Sequence, residues 1–215
     1  MSAIKAAIRR VLDALGLYLP WKLTNRGPLV TDGWLRSFRE GKPVDAEGRP
    51  IPWLSYPAIE FLAARVRPEW SVFEYGAGAS TLWWAGRVRE VVSVEHDAEW
   101  AKKVRAESPA NAELLEVPLE YGGEYARTAA RWPARFDVVV IDGRDRVNCA
   151  TAALTALKPA GVIIWDNSDR GEYRPGLEAL AAAGFRRVPF IGLLPVHWQK
   201  NETSILYRDG NVLGL

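Results

Sequence analysis

Val72-Phe73-Glu74-Tyr75-Gly76-Ala77-Gly78-Ala79-Ser80-Thr81 is the stretch that decides how this chain folds. The Val and aromatic run predicts a strand from Ser71 to Tyr75, the two glycines a turn, and Ser80 or Thr81 the cap of a helix reaching Arg87. Glycine lets the backbone approach a ligand closely, and a helix N-terminus offers free N–H groups to a carboxylate or phosphate. The turn is therefore expected to seat an anionic group. The next strand, Val91 to Glu95, ends in Val94-Glu95-His96-Asp97, where an acid can accept hydrogen bonds from both ribose hydroxyls. A lone Gly-x-Gly is usually only a tight turn. Strand before, helix after and acid at the end of the next strand together point to a nucleoside ligand.

Two nucleoside cofactors suit this pattern. A dinucleotide fingerprint places Gly or Ala three residues after its second glycine, and here that residue is Thr81. Glu74, just ahead of the glycines, would repel a pyrophosphate but suits a cofactor with an α-amino group. S-adenosylmethionine has that amine, a carboxylate for the helix N-terminus and a ribose for Glu95.

Outward from this stretch, helical and strand signals alternate. Ala58 to Arg67 and Glu99 to Glu107 read as helices, and Glu113 to Val117 as a strand. Phe136 to Asp142 is a Val-rich run suited to a strand buried on both faces. Val147 to Leu157 reads as a helix closed by Pro159 and Gly161, and Val162 to Asp166 as a strand. Pro175 to Ala183 is a helix, and Arg186 to Ile191 and Thr203 to Arg208 are two final strands. Such alternation predicts an α/β fold with a mostly parallel sheet. Residues 1–57 read as an N-terminal amphipathic helix and irregular arm, with at most a brief helix near Trp34 to Arg39, and 58–215 as the main domain.

The 215 residues carry 28 Lys and Arg against 26 Asp and Glu, a net charge of +2, which does not suggest a nucleic-acid binder. A single Cys excludes an internal disulfide framework and fits a reducing cytoplasm. No apolar run has the roughly 18 to 20 residues of a membrane span. Ile4, Ile8, Val11, Leu12 and Leu15 recur at helical spacing opposite Lys5, Arg9 and Arg10. Amphipathic helices usually pack on their own domain, which is the expectation here; the basic charge also fits an anionic membrane surface or partner.

From Ser71 to Arg208 the chain resembles the class I S-adenosylmethionine-dependent methyltransferases: Glu74-x-Gly76-x-Gly78, the acid Glu95, Phe136-Asp137-Val138-Val139-Val140-Ile141-Asp142-Gly143 and the terminal strand pair. The resemblance implies a Rossmann-like, seven-stranded sheet of order 3-2-1-4-5-7-6 with strand 7 antiparallel. It also implies a cofactor site of Glu74, Gly76, Ala77, Gly78, Ser80, Thr81, Glu95, His96, Asp142 and Gly143, with Tyr56 of the arm covering it.

Asp142 and Asp166-Asn167 end strands expected to be neighbours, about 4.8 Å apart. Their oxygens would suit Mg²⁺ or Ca²⁺, and the trio resembles the metal site of catechol-type O-methyltransferases. Those enzymes place a Lys three residues after the first Asp, where this chain has Asp145. Asp145, Asp166 and His197 are the catalytic candidates. Together these readings imply methyl transfer to a hydroxyl of a small molecule or saccharide, with metal assistance or without it, and an N-acceptor as an alternative. A nicotinamide oxidoreductase or a non-catalytic cofactor-binding module are readings of another class.

Tyr121-Gly122-Gly123-Glu124-Tyr125 reads as a surface loop or a mobile lid. Of the ten tryptophans, Trp21, Trp34, Trp53 and Trp198 fall in segments expected to roof the acceptor site, whereas Trp70 and the helical ones are expected to pack elsewhere.

Overall fold

The computed structural model describes residues 3–215. Its strands are β1 (Ser71–Tyr75), β2 (Glu90–Glu95), β3 (Ala112–Glu116), β4 (Phe136–Ile141), β5 (Leu157–Asp166), β6 (Arg186–Leu193) and β7 (Lys200–Tyr207). They form one sheet of order β3-β2-β1-β4-β5-β7-β6. The pairs from β3 through β5 are parallel, while β7 runs antiparallel to both β5 and β6. The Rossmann-like sheet expected from the resemblance is therefore present.

Five helices precede the sheet: α1 (Ala3–Ala14), α2 (Tyr18–Asn25), α3 (Pro28–Thr31), α4 (Trp34–Glu40) and α5 (Tyr56–Ala63). Within it, α6 (Ala79–Ala85), α7 (Ala98–Glu107), α8 (Glu124–Arg127), α9 (Arg146–Ala156) and α10 (Arg174–Ala182) follow β1, β2, β3, β4 and β5 in turn. Side chains alternate across each strand. Phe73, Tyr75, Val139, Ile141, Ile163 and Trp165 enter one core, and Val72, Val138, Val140, Val162 and Ile164 enter the other with Trp83 and Trp84. With both faces covered, the central strands need apolar residues on both sides, which is why Val138 to Ile141 shows no alternation.

The structure corrects several expectations. The arm holds more helix than expected as far as Glu40: Pro20 lies in the first turn of α2 and Pro28 is the first residue of α3, where a missing N–H is tolerated. Farther on, Ile51 and Leu54 are buried in the core with Leu62 and Val72. The amphipathic α1 does not pack on the domain; Ile4 is 72% exposed, Ile8 54%, Val11 59% and Leu15 65%. Strand β5 begins at Leu157, its register with β4 shifting between Phe136 and Val138. The 121–125 segment is divided: Tyr121 is exposed, but Tyr125 is fully buried against Tyr75.

Candidate active site

A cleft of about 400 Å³ opens at the C-terminal ends of β1, β2 and β4. Gly76 has φ +91°, and a Cβ there would lie 3.2 Å from Gly143 Cα. A Cβ on Gly143 would collide with Tyr125 Oη and with the Gly76 nitrogen. The turns after β1 and β4 touch, so both glycines are required. Gly78 carries no such constraint, since a Cβ there would meet nothing closer than Trp100 at 3.7 Å.

Glu74 stands at the base of this cleft with 1% of its surface exposed. Its Oε2 accepts hydrogen bonds from Thr81 Oγ1 at 2.6 Å and Ser93 Oγ at 3.1 Å, while Oε1 has no partner in the protein. Burial pushes its pKa up to about 7. A buried carboxylate oxygen without a donor, beside a cleft, is what a ligand ammonium group would satisfy. Thr81 is itself fully buried and accepts from the Gly78 N–H at 3.1 Å. It closes the helix entrance from the third helical position rather than capping it, and it supports Glu74 without lining the cleft. Ser80 and Ala77 do line it.

Glu95 forms the opposite wall. Its Oε1 accepts the backbone N–H groups of His96 at 2.7 Å and Asp97 at 2.9 Å, and Oε2 that of Ala77 at 3.2 Å. These bonds fix the carboxylate where the acid of a nucleoside-binding fold stands. His96 lines the cleft edge-on to Tyr125, ring centroids 6.0 Å apart. Trp100 also lines it, donating from Nε1 to the Ala77 carbonyl at 2.7 Å. A helical tryptophan expected only to pack therefore faces the site; its position three residues after Asp97, in the first turn of a helix starting at the cleft, was the available signal.

Asp142 and Trp53 belong to this cleft and also to a second one of about 410 Å³ that opens beside β5 and β7. The second cleft is lined by Asp166, Asn167, His197, Arg170 and Lys200 among others. Asp166 Oδ1 accepts from Thr203 Oγ1 at 2.6 Å and from Asn201 Nδ2 at 2.8 Å. Thr203 Oγ1 in turn accepts the Ser55 N–H at 3.0 Å, tying the arm to Asp166. Burial raises the pKa of both Asp142 and Asp166, and the charge of Asp142 raises Asp166 further. His197 stacks on Trp53 with centroids 5.5 Å apart, and its carbonyl accepts from Trp34 Nε1 at 2.8 Å. Trp53 thus lines the pocket and Trp34 braces its loop, whereas Trp21 and Trp198 contribute to neither cleft wall.

The strand ends bring Asp142, Asp166 and Asn167 together as expected, yet these residues do not fit a divalent cation. Arg146 is buried between them. It donates to Asp142 Oδ1 at 3.0 Å, to the Gly143 carbonyl at 3.0 Å, and to the carbonyls of Asp142 and Asp166. One carboxylate is already neutralised by a guanidinium and the other gives its Oδ1 to two neutral donors, while Asn167, at φ +54°, gives its amide to Asn201. Mg²⁺ and Ca²⁺ take six or more oxygens, and among the described residues no group of three His, Cys, Asp or Glu could hold a metal.

Besides Gly78 and Thr81, two candidates lie outside both clefts. Asp145 accepts the Gly122 N–H and Asn148 Nδ2, each at 2.7 Å, clamping the loop after β3. Tyr56 packs against the core at the start of α5. Arg146, Trp100 and Thr203 were missed by sequence reasoning. The four-residue spacing from Asp142 to Arg146 was the only local hint of the first, and nothing local marks Thr203.

Residues 73–168 match a family model described as a methyltransferase domain. The chain carries a methyltransferase domain over these residues. Among curated proteins, none matches the sequence. Solved structures share the methyltransferase's fold. Precorrin-6y C5,15-methyltransferase from Geobacter metallireducens is 14% identical with a TM-score of 0.58, over 72% of this chain and 88% of that one. Precorrin 8W decarboxylase from Methanobacterium thermoautotrophicum is 20% identical with a TM-score of 0.53, over 71% and 88%. Spermidine synthase from Thermotoga maritima is 15% identical with a TM-score of 0.50, over 69% and 56%. S-adenosylmethionine is the cofactor of this family, and the orphaned Glu74 Oε1, the fixed Glu95 and the close-approach turn at Gly76 are the residues that fit it.

Proposed function

We propose that this methyltransferase methylates a hydroxyl of a small polar acceptor, a saccharide among the candidates, without a metal. The observation that carries the reading is the shared wall. Asp142 and Trp53 border both clefts, so an acceptor in the second cleft lies beside a cofactor in the first. When bound, S-adenosylmethionine supplies a methyl group on an already electrophilic sulfonium.

The chain's part is alignment and proton removal. Orientation alone is worth about 7–11 kcal/mol and a general base about 3–5 kcal/mol. Asp166 is the proposed base: its raised pKa suits it to take the hydroxyl proton as the carbon–oxygen bond forms, with Thr203 and Asn201 holding it in place. His197 and Trp53 offer stacked rings to a sugar face, and Arg170, Lys200 and the amides offer hydrogen bonds. Residues 58–215 form the catalytic domain, and the 1–57 arm brings Trp53 to it. The enzyme is read as cytoplasmic, its one cysteine buried and free.

A panel of hydroxylated and amine acceptors with radiolabelled S-adenosylmethionine tests this reading. Labelled hydroxyl acceptors, turnover unaffected by EDTA, and Asp166→Asn losing about 10²-fold or more in kcat with S-adenosylhomocysteine affinity kept are the expected results. Loss of turnover in EDTA would restore the metal-assisted reading, and labelling of amines alone would displace the hydroxyl. Binding of NAD(H) in place of S-adenosylhomocysteine would remove the whole assignment.

A further inference from the structure

We propose that the α1–α2 helix pair docks this protein on an anionic lipid surface. The inference does not depend on which acceptor is methylated.

Three features of the pair support it. Ile4, Ile8 and Val11 form one stripe along α1, with Leu15 just past its end, and all four are more than half exposed. A helix with a solvated apolar stripe leaves favourable burial unused. The helix leans on its neighbour: Arg9 of α1 lies over the Tyr18 ring of α2, 4.9 Å from its centroid, and Lys22, from α2 itself, lies 5.2 Å from the same centroid, so both cations stay at the surface beside the stripe. On α2 itself, Leu19 and Trp21 are exposed as well, with Arg26 over the Trp21 ring.

Charge decides among occupants. Up to Arg26 the chain has five basic residues, Lys5, Arg9, Arg10, Lys22 and Arg26, and one acid, Asp13, a formal +4. The other 23 Lys and Arg stand against 25 Asp and Glu, a formal −2. The pair thus carries more than the protein's whole net positive charge on a domain of opposite sign. A second copy would have to bring +4 against +4. An anionic bilayer meets both features at once, taking the apolar stripe into the headgroup boundary with Lys5 and Arg10 flanking it at the phosphate level. No helix among the described residues is long and apolar enough to cross a membrane, so the contact lies in the surface plane.

Sedimentation of the full chain with vesicles tests the proposal, using pure phosphatidylcholine and phosphatidylcholine with about 30% phosphatidylglycerol, mole fractions at which surface potential attracts basic segments. Binding is expected on the anionic vesicles only, weakened at about 0.5 M NaCl, where the Debye length falls below about 5 Å. Lys5→Glu/Arg9→Glu/Arg10→Glu and Ile8→Asp/Val11→Asp should each lower vesicle affinity by at least about tenfold. Lys102→Glu/Lys103→Glu, on exposed α7 positions, should not. Unchanged S-adenosylhomocysteine affinity shows that each variant is folded. Failure to bind anionic vesicles overturns the proposal, as does binding that survives Ile8→Asp/Val11→Asp. Self-association in light scattering that the same substitution abolishes would assign the face to a second copy and overturn it too.

Discussion

Arg146 Nη2 lies 3.0 Å from Asp142 Oδ1, and the same guanidinium reaches the carbonyl of Asp166. One buried cation therefore joins the ends of β4 and β5, the two strands that carry the acids of the site. It supplies positive charge where a metal would otherwise be needed to keep two neighbouring carboxylates together. Arginine suits this place because its planar fork serves several acceptors at once and stays charged when buried.

Removing that cation leaves the partly exposed Asp142 without its partner and frees the carbonyls at both strand ends. Arg146→Ala is expected to lower stability by about 1.5–3 kcal/mol, the scale of a hydrogen bond to a charged group. Urea unfolding measures it, and a loss below about 1 kcal/mol would mean that the guanidinium does not hold the strand ends.

Glu74 carries a pH signature. Its folded pKa, up to about 7, lies above the value near 4.5 of an exposed glutamate. The folded state holds the proton more tightly, so this contribution to stability is complete below about pH 4.5 and is lost as pH rises through about 7. Glu74→Gln, which has no charge to bury, should gain on the ligand-free wild type by up to about 2–3 kcal/mol between pH 5 and pH 8. Melting temperatures at the two pH values report the gain. The same variant should bind S-adenosylmethionine more weakly, having lost the charge facing the amine.

Glu95→Ala removes the acid placed for the ribose hydroxyls. The expected loss of S-adenosylhomocysteine affinity is about 2 kcal/mol, roughly thirtyfold, since hydrogen bonds to a charged group are each worth about 1.5–3 kcal/mol. Calorimetric titration gives the number, and unchanged affinity would remove Glu95 from the site.

Trp53 borders both clefts, so its loss should be felt twice. Trp53→Ala is expected to raise the acceptor KM about tenfold and to weaken cofactor binding by about 1 kcal/mol, the scale of one aromatic contact. An effect on cofactor alone would separate the indole from the acceptor.

Asp145 provides the contrast. With its carboxylate given to Gly122 and Asn148, Asp145→Asn should cost about 1–2 kcal/mol of stability and leave kcat and the pH profile unchanged. A fall in kcat with the fold intact would return Asp145 to the chemistry.

The first cleft was legible in the sequence because its parts are local: a strand, a turn, a helix and an acid ending the next strand. Gly76, Glu74 and Glu95 act within or beside one βα unit, so their spacing encodes their geometry. The second glycine required by close approach is not the neighbouring Gly78 but Gly143, which meets Gly76 only because β1 and β4 are adjacent. Proline density read the arm as irregular, whereas Pro20 and Pro28 sit in first turns, where they do no harm.

The order of residues along the chain thus determined the fold and the meeting of Glu74, Gly76 and Glu95 at one cleft, since periodicity and turn chemistry act over a few residues. Tertiary structure alone decided what stands opposite that cleft. The Asp166–Thr203–Ser55 chain spans 148 residues from Ser55 to Thr203, and Trp34 reaches the His197 carbonyl across 163. Contacts between elements so distant follow from strand order and packing, and no pattern within a short window of sequence records them.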